Sequence, residues 1–362
     1  MKIIHVISNL ELAGAQTMCC NLLCALKDFE EEKITVISLF DTNNSLTDKL
    51  KANGINVICL GKKNGFDFSM IRKLKKIFKK EKPDVIHAHA AVLKYVGPAS
   101  LFKKAKIVHT MHTLANKEGS KADALITKFF YKTKKAYPAA LTPEVQRSIS
   151  KRYHIKPNRI PVIYNGIDLS ACMIKETYSQ RDTFKILHIG RFSEEKNHVG
   201  LINAFEMFHK EFPNSTLNLI GDGSLKESIQ LLVKEKGLEN NVMFLGLQKN
   251  VYPFLNDADL FALPSTYEGM PMTLIEAMGT GLPIVASNVG GIPDMLTNES
   301  NAILTEVNDK ILADAFIKLA KDENLRETYG SQALHDSKKF SAHNMAKSYY
   351  DFYKTVLKQS RG

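Results

Sequence analysis

At 362 residues the chain is too long for one ordinary hydrophobic core and fits two domains of about 150–200 residues. Its 44% hydrophobic and 24% charged content is ordinary for a globular protein, and no apolar run approaches the ~20 residues a membrane helix needs, which excludes a helical membrane span. The net charge of +11 is uneven: residues 1–170 hold 29 Lys and Arg against 14 Asp and Glu, the remainder 20 against 24. A basic half of this kind suits a polyanion, an anionic membrane surface or a phosphorylated acceptor.

Met1 leads straight into Ile3-Ile4-His5-Val6-Ile7, too short an apolar stretch for a secretory signal. The five cysteines, Cys19, Cys20, Cys24, Cys59 and Cys172, show neither paired nor metal-ligand spacing and read as free thiols. A cytoplasmic protein is expected.

Short β-branched runs at 3–7, 34–39, 57–60, 85–89 and 107–110 read as buried parallel strands, with helical spacing at 15–26 and 69–80 between them. The alternation predicts a doubly wound α/β sheet. Pro157-Asn158-Arg159-Ile160-Pro161 then interrupts the pattern, and Gly166 is expected to take an unusual backbone angle at a hinge. Beyond it the pattern restarts, with strands at 185–189, 216–220 and 242–245 and helices at 198–212 and 225–236. Further strands at 260–263 and 284–286 enclose a helix, and 349–357 reads as a last helix.

The strongest chemical constellation begins at the carboxyl end of the 260–263 strand, where open α/β sheets bind ligands. It reads Pro264-Ser265-Thr266-Tyr267-Glu268-Gly269-Met270-Pro271-Met272-Thr273-Leu274-Ile275-Glu276. Gly269 lets backbone approach a ligand, Pro271 is expected in the first helical turn, and the free amides there suit a phosphate. Glu276 falls about 7.5 Å along that helix from Pro271, at ~1.5 Å per residue. Two carboxylates flanking an anion site can each hold a pair of sugar hydroxyls. Gly190-Arg191-Phe192-Ser193-Glu194-Glu195-Lys196-Asn197 repeats the strand-to-helix placement, with Arg191 as a planar fork for a diphosphate and Lys196 as a movable point charge. Gly221-Asp222-Gly223-Ser224 follows a third strand end and reads equally as a tight turn or a ligand loop.

In the first half, Ala13-Gly14-Ala15-Gln16 starts a helix after the opening strand, as an anion approach or a structural turn. His109-Thr110-Met111-His112 ends another strand, where a neutral imidazole can bond a hydroxyl or a phosphate. His87 and His89 share one strand face; with no third ligand at supporting spacing, packing or polar lining is favoured over metal. Arg72, Lys73, Lys75, Lys76, Lys79 and Lys80 interleave with Ile71, Leu74, Ile77 and Phe78 in an amphipathic helix. Lys128, Lys132, Lys134 and Lys135 stand beside Phe129, Phe130 and Tyr131. The first reads foremost as a helix whose apolar stripe packs on the sheet while its lysines face water; together the two stretches could also dock on anionic lipid, and no groove-reading motif or aromatic RNA platform argues for nucleic acid.

With these motifs the chain resembles the family-4 retaining glycosyltransferases, which glycosylate bacterial surface polysaccharides and lipids. The resemblance also rests on Pro83-Asp84-Val85-Ile86-His87-Ala88-His89, Asn165-Gly166-Ile167-Asp168 and Gly281-Leu282-Pro283-Ile284-Val285-Ala286. It implies the GT-B fold, two Rossmann-like doubly wound domains facing a cleft: residues 1–166 with a returning C-terminal helix at about 344–362 on the acceptor side, and 167–343 binding the nucleotide sugar. It implies catalytic roles for His112, Arg191, Lys196 and Glu268. Gly14, Arg191, Lys196, Gly221, Glu268, Gly269, Met270, Pro271, Met272, Thr273 and Glu276 would bind the donor. Ala15, Gln16, His89 and His112 would lie on the acceptor side. Ala13 and Gln16 stand where the family often has Gly and Glu.

The implied activity is retaining transfer from a nucleoside-diphosphate sugar, a UDP-sugar by expectation, to a polyprenyl-linked or oligosaccharide acceptor in capsule or exopolysaccharide assembly. No cofactor and no essential metal are expected, because Arg191, Lys196 and the helix start can stabilise the departing diphosphate. Asp257-Ala258-Asp259 is discounted as a metal element because it precedes its strand. The inner face of the cell membrane is the expected peripheral location, with no nucleic-acid partner. A sugar-nucleotide epimerase of the same architecture and a non-catalytic basic membrane- or nucleic-acid-binding module are the alternatives.

Overall fold

A computed structural model describes residues 1–11, 13–29, 34–101, 103–179 and 182–359. The chain forms two compact units, Met1–Ile167 joined by the C-terminal segment from Ser341, and Asp168–Phe340.

The first unit runs β1 (Ile3–Ile7), α1 (Gly14–Leu26), β2 (Thr35–Ser38), α2 (Ser45–Ala52), β3 (Asn56–Cys59), α3 (Phe68–Glu81), β4 (Val85–His89), α4 (Leu93–Ser100), β5 (Lys106–Met111), α5 (Lys121–Lys132), β6 (Ala136–Ala140) and α6 (Pro143–Tyr153). All its strand pairs are parallel, in the order β3-β2-β1-β4-β5-β6. Strands β1, β2 and β4 are buried throughout because helices cover both faces, which explains their continuous apolar runs. Met70, Leu74 and Phe78 of α3 join Val96, Phe130 and Ile149 in the core on one face.

The second unit repeats this winding with β7 (Phe184–Ile189), α7 (His198–Glu211), β8 (Ser215–Ile220), α8 (Lys226–Glu235), β9 (Val242–Gly246), α9 (Tyr252–Asp257), β10 (Leu260–Leu263), α10 (Met272–Thr280), β11 (Ile284–Ser287), β12 (Ile303–Thr305), α11 (Asp309–Lys321) and α12 (Glu323–Ser337). Its parallel order, β12-β11-β10-β7-β8-β9, is the same topology counted from its own first strand. Phe205, Phe208, Leu217, Leu260 and Phe316 centre its core.

The last helix, α13 (Ala342–Lys358), packs along α1 in the first unit and starts earlier than the 344 expected; residues 360–362 of that expectation lie outside the described residues. Ser341 caps it, accepting from the Asn344 N–H. Its own Tyr349 and Tyr353 are fully buried on its inward face.

Three expectations need correction. Gly166 does not take an unusual angle; it is glycine because a Cβ there would stand 2.4 Å from the Ser341 carbonyl oxygen. Pro271 is not inside the first turn of α10 but caps it from outside, with extended φ −71° and ψ 124°. Strands β6 and β12 close one edge of each sheet and are absent from the sequence reading.

Candidate functional site

In each sheet the strand order reverses once, between β1 and β4 in the first unit and between β7 and β10 in the second. Ligands bind open α/β sheets outside the carboxyl ends of strands at such a reversal.

In the second unit the loops leaving β7 and β10 are the two constellations singled out from sequence. Three bonds tie them together. The Thr266 N–H donates to the Glu195 carbonyl at 2.8 Å, the Asn197 amide to the Pro264 carbonyl at 3.2 Å, and Lys196 Nζ meets Glu268 Oε1 at 2.5 Å. Asn197 adopts a left-handed φ of 51° to cap α7 while making that bridge. Ser265 Oγ also donates to Glu268 Oε1, at 2.6 Å. Glu268 is thus buried with one oxygen doubly held. Lys196 in this structure is paired with that carboxylate rather than standing as a lone phosphate ligand. Arg191 is exposed at the tip of the loop.

Glycines shape both loops. Gly290, at φ 57°, lies so close to the Glu268 carbonyl oxygen that a Cβ would sit 1.9 Å away. Gly221, at φ 145°, abuts the Gly190 carbonyl in the same way, so the Gly221-Asp222-Gly223 turn lies directly on the Arg191 loop. The Phe192 N–H completes that seam on the Asp222 carbonyl at 3.1 Å.

The start of α10 carries no side-chain cap and no acidic residue, so its first amides and positive dipole end are available to an anion. Met270 and Met272 are buried, so only their backbone can serve a ligand there. One turn on, burial pushes the Glu276 carboxyl up to about 7. Sequence reasoning missed its neighbours. Cys172 and Tyr252 are hydrogen-bonded to each other; burial first, and the Glu276 charge second, raise both of their pKa values. A tyrosine at the start of a short helix and a cysteine in a loop carry no motif, so spacing alone offered no signal. The Asp257-Ala258-Asp259 element lies at the amino ends of β7 and β10: Asp259 accepts from the Lys185 N–H and Asp257 pairs with Lys185 Nζ.

In the first unit the carboxyl ends of β1 and β4 are followed by the Ala13-Gly14-Ala15-Gln16 helix start and by Ala90. Ala13 precedes α1 without a side-chain cap, and the Gln16 amide donates to Asn9 Oδ1 at 2.7 Å, bracing the loop. The histidine pair has a third member that spacing could not reveal. His5 sits opposite His87 across the β1–β4 pairing, and the ligand atoms of His5, His87 and His89 lie within 4.8 Å of one another. Among the described residues, hydrogen bonds account for every nitrogen of these rings except His5 Nε2. His87 Nδ1 meets the Tyr353 hydroxyl and His87 Nε2 the Thr110 hydroxyl, each at 2.7 Å, and His5 Nδ1 meets His89 Nε2 at 3.0 Å. His89 Nδ1 continues to His112 Nε2 at 3.3 Å. His89 is fully buried and its Nδ1 is turned to His112, so it offers no surface of its own to a ligand. Burial holds all of them neutral, His5 down to about 3, His112 to about 4, and His87 and His89 well below the usual range. On the opposite face, His109 is structural: it bonds the Tyr131 hydroxyl at 2.7 Å and steadies Ala90, whose φ is 53°, through the Ala90 carbonyl at 2.8 Å.

Known proteins agree with this architecture. Residues 12–171 match the model described as Glycosyltransferase Family 4, and residues 173–336 the model described as Glycosyl transferases group 1. Similar relatives include the UDP-Gal:alpha-D-GlcNAc-diphosphoundecaprenol alpha-1,3-galactosyltransferase of Escherichia coli, 28% identical over 88% of this chain and 86% of its own. The N-acetyl-alpha-D-glucosaminyl L-malate synthase of Bacillus anthracis is 29% identical over 82% and 81%. Among solved structures, Anabaena HepE in complex with UDP and glucose superposes with a TM-score of 0.84 at 21% identity, over 98% of this chain and 99% of that one. With both halves matched and the doubled winding in place, the chain belongs to glycosyltransferase family 4 and is a glycosyltransferase of the GT-B fold.

Proposed function

We propose that the chain transfers a hexosyl or N-acetylhexosaminyl group, with retention of anomeric configuration, from a UDP-sugar to a polyprenyl-linked or oligosaccharide acceptor in capsule or exopolysaccharide assembly. The observation that carries this reading is the strand-order reversal of the second unit. Arg191, Lys196 and the uncapped start of α10 are held there by one connected set of loops, with the Glu276 carboxyl one turn along α10. In this reading Arg191, Lys196 and the α10 amides take the diphosphate, Glu276 the ribose hydroxyls, and Glu268 with the Gly269–Pro271 backbone the sugar. UDP in the Anabaena HepE complex, and the UDP-Gal and diphosphoundecaprenol in the name of the E. coli relative, support the donor and acceptor classes.

The acceptor oxygen attacks C1 of the donor sugar as the C1–O bond to the diphosphate breaks, and the departing phosphate oxygen takes the acceptor's proton. Charge that grows on the diphosphate is met by Arg191, Lys196 and the helix dipole, so no metal is required. Same-face attack is preferred over a covalent route through Glu268. Both bonds to that carboxylate, from Lys196 and Ser265, hold its negative charge toward Oε1 and weaken Oε2 as a nucleophile, leaving it better suited to accept a sugar hydroxyl than to attack carbon.

The acceptor's lipid calls for a membrane surface. All six basic side chains of α3 are exposed, while its apolar stripe packs inward. Phe68 at the start of α3 is 71% exposed and Phe66 beside it 51%; on α5, which α4 separates from α3, Leu125 is 70% and Phe129 52% exposed. Apolar tips among lysines suit an anionic bilayer.

A thermal-shift panel tests the donor assignment. UDP and UDP-sugars should raise the melting temperature and free sugars should not. No stabilisation by any nucleoside diphosphate at millimolar concentration would end this reading.

A further inference from the structure

His112 stands at the end of a buried file of imidazoles, His5–His89–His112, linked nitrogen to nitrogen at 3.0 and 3.3 Å. Neutral rings can share protons along such a file in only two directions. In one, each ring donates away from His112, and the last proton then rests on His5 Nε2. That nitrogen is buried and has no hydrogen-bond partner among the described residues, so an N–H there would be orphaned inside the core. In the other direction each ring donates toward His112: His5 Nδ1–H to His89 Nε2, and His89 Nδ1–H to His112 Nε2. His5 Nε2 is then a bare lone pair, which protein interiors tolerate more readily than an unpaired N–H. Cys19 Sγ, 3.6 Å from His89 Nε2, does not choose between the two: as a weak donor and a weak acceptor it suits either direction. His87 is not part of the file, since Tyr353 and Thr110 occupy both its nitrogens.

We propose that His5 and His89 are positioning residues that fix His112 in the Nδ1–H tautomer, so that its remaining ring nitrogen offers a ligand an N–H donor. His112 then donates to a sugar hydroxyl oxygen or a phosphate oxygen and does not take a proton at that nitrogen. This rests on the reading of His112 as a ligand-facing residue. The tautomer itself belongs to the folded protein and exists before any substrate binds.

The test is nitrogen NMR on protein carrying ring-15N histidine, with no substrate added. The expected spectrum has His112 protonated at Nδ1 and unprotonated at Nε2. Replacing His5 by Leu, two rings away, should move His112 toward the Nε2–H form, as should His89→Leu; His89→Gln, which can still donate, should restore Nδ1–H. Transfer by His89→Leu should fall roughly tenfold, the scale of one hydrogen bond, with His89→Gln recovering most of it. A wild-type His112 protonated at Nε2 overturns the proposal even if no variant folds. So does an unmoved His112 tautomer in folded His5→Leu, or one equivalent of zinc bound between His5 and His89. Failure of UDP to bind would leave this spectrum unchanged, so the two readings fail separately.

Discussion

Replacing Glu276 by Gln should weaken donor binding and, above neutral pH, favour the folded state. Both effects come from one buried carboxyl raised from the usual 4.5 to about 7 by loss of water. A folded-state pKa above the unfolded one means stability that is fully present below about 4.5 and lost as pH rises through about 7. The shift corresponds to ~3 kcal/mol at most. Gln does not titrate, so between pH 5 and 8 the stability difference between variant and wild type should swing by about 2–3 kcal/mol in favour of Gln. Binding runs the other way. A carboxylate accepting two ribose hydroxyls makes charge-assisted bonds of ~1.5–3 kcal/mol each, and a neutral amide makes bonds of about half that. UDP affinity and transfer should therefore drop roughly one hundredfold in the variant. In the wild type, affinity should fall about tenfold per pH unit below 7, as the carboxyl takes up its proton, and this slope should be missing from the variant. Calorimetric titration of UDP and thermal melts at pH 5, 6, 7 and 8 read both quantities. A folded Glu276→Gln protein with unchanged affinity, or with the wild-type pH slope, would refute the assignment.

Arg191→Ala should slow transfer at least as much as Glu276→Gln with little change in melting temperature, because this exposed guanidinium acts on charge that grows in the transition state; Glu239→Gln, on an exposed turn, should be silent in the same assay. Gly290→Ala must push back the Glu268 backbone and take up a left-handed φ, so melting temperature and transfer should fall together; an unaltered rate would mean that Glu268 is not held where the chemistry needs it. Charge reversal of Lys75, Lys76 and Lys79 to Glu should abolish most binding to anionic vesicles, at about 1 kcal/mol per lysine near the surface, while the melt is unchanged. Equal binding of the parent protein to neutral and anionic vesicles would return α3 to a solvated, sheet-packing helix.

The elements legible in the sequence were those whose residues announce their burial or their chemistry. Ile3–Ile7 and Leu260–Leu263 are apolar throughout because helices cover both faces, and the motifs around Arg191 and Glu268 carry residue types a diphosphate needs. Strand Ala136–Ala140 escaped because Ala-Tyr-Pro-Ala-Ala has no β-branched residue, and its Pro138 is tolerated because the strand lies at the sheet edge. Helix α2 escaped although Asn44 and Thr47 form a capping box, since its short apolar face shows little periodicity. The site's supporting contacts were not legible for a different reason. His5 meets His89 across 84 positions, and Lys196 meets Glu268 across 72, and no local pattern encodes pairings made by strand order. Gly166 and Gly221 were visible as glycines, but what each needs, room for the backbone of Ser341 or of Gly190, exists only in the fold.

Acceptor-dependent turnover with a defined product tests the central claim most directly. The protein, in buffer containing EDTA, is given a panel of UDP-sugars with and without polyprenyl-diphosphate sugars or oligosaccharides, and UDP release and the new anomeric linkage are followed by NMR. The account predicts UDP release only when acceptor is present, an axial α-configured donor yielding an α-linked product, and no loss of rate from chelation. UDP-sugar converted to its epimer without acceptor, a product of inverted configuration, or activity abolished by EDTA and restored by manganese would contradict it.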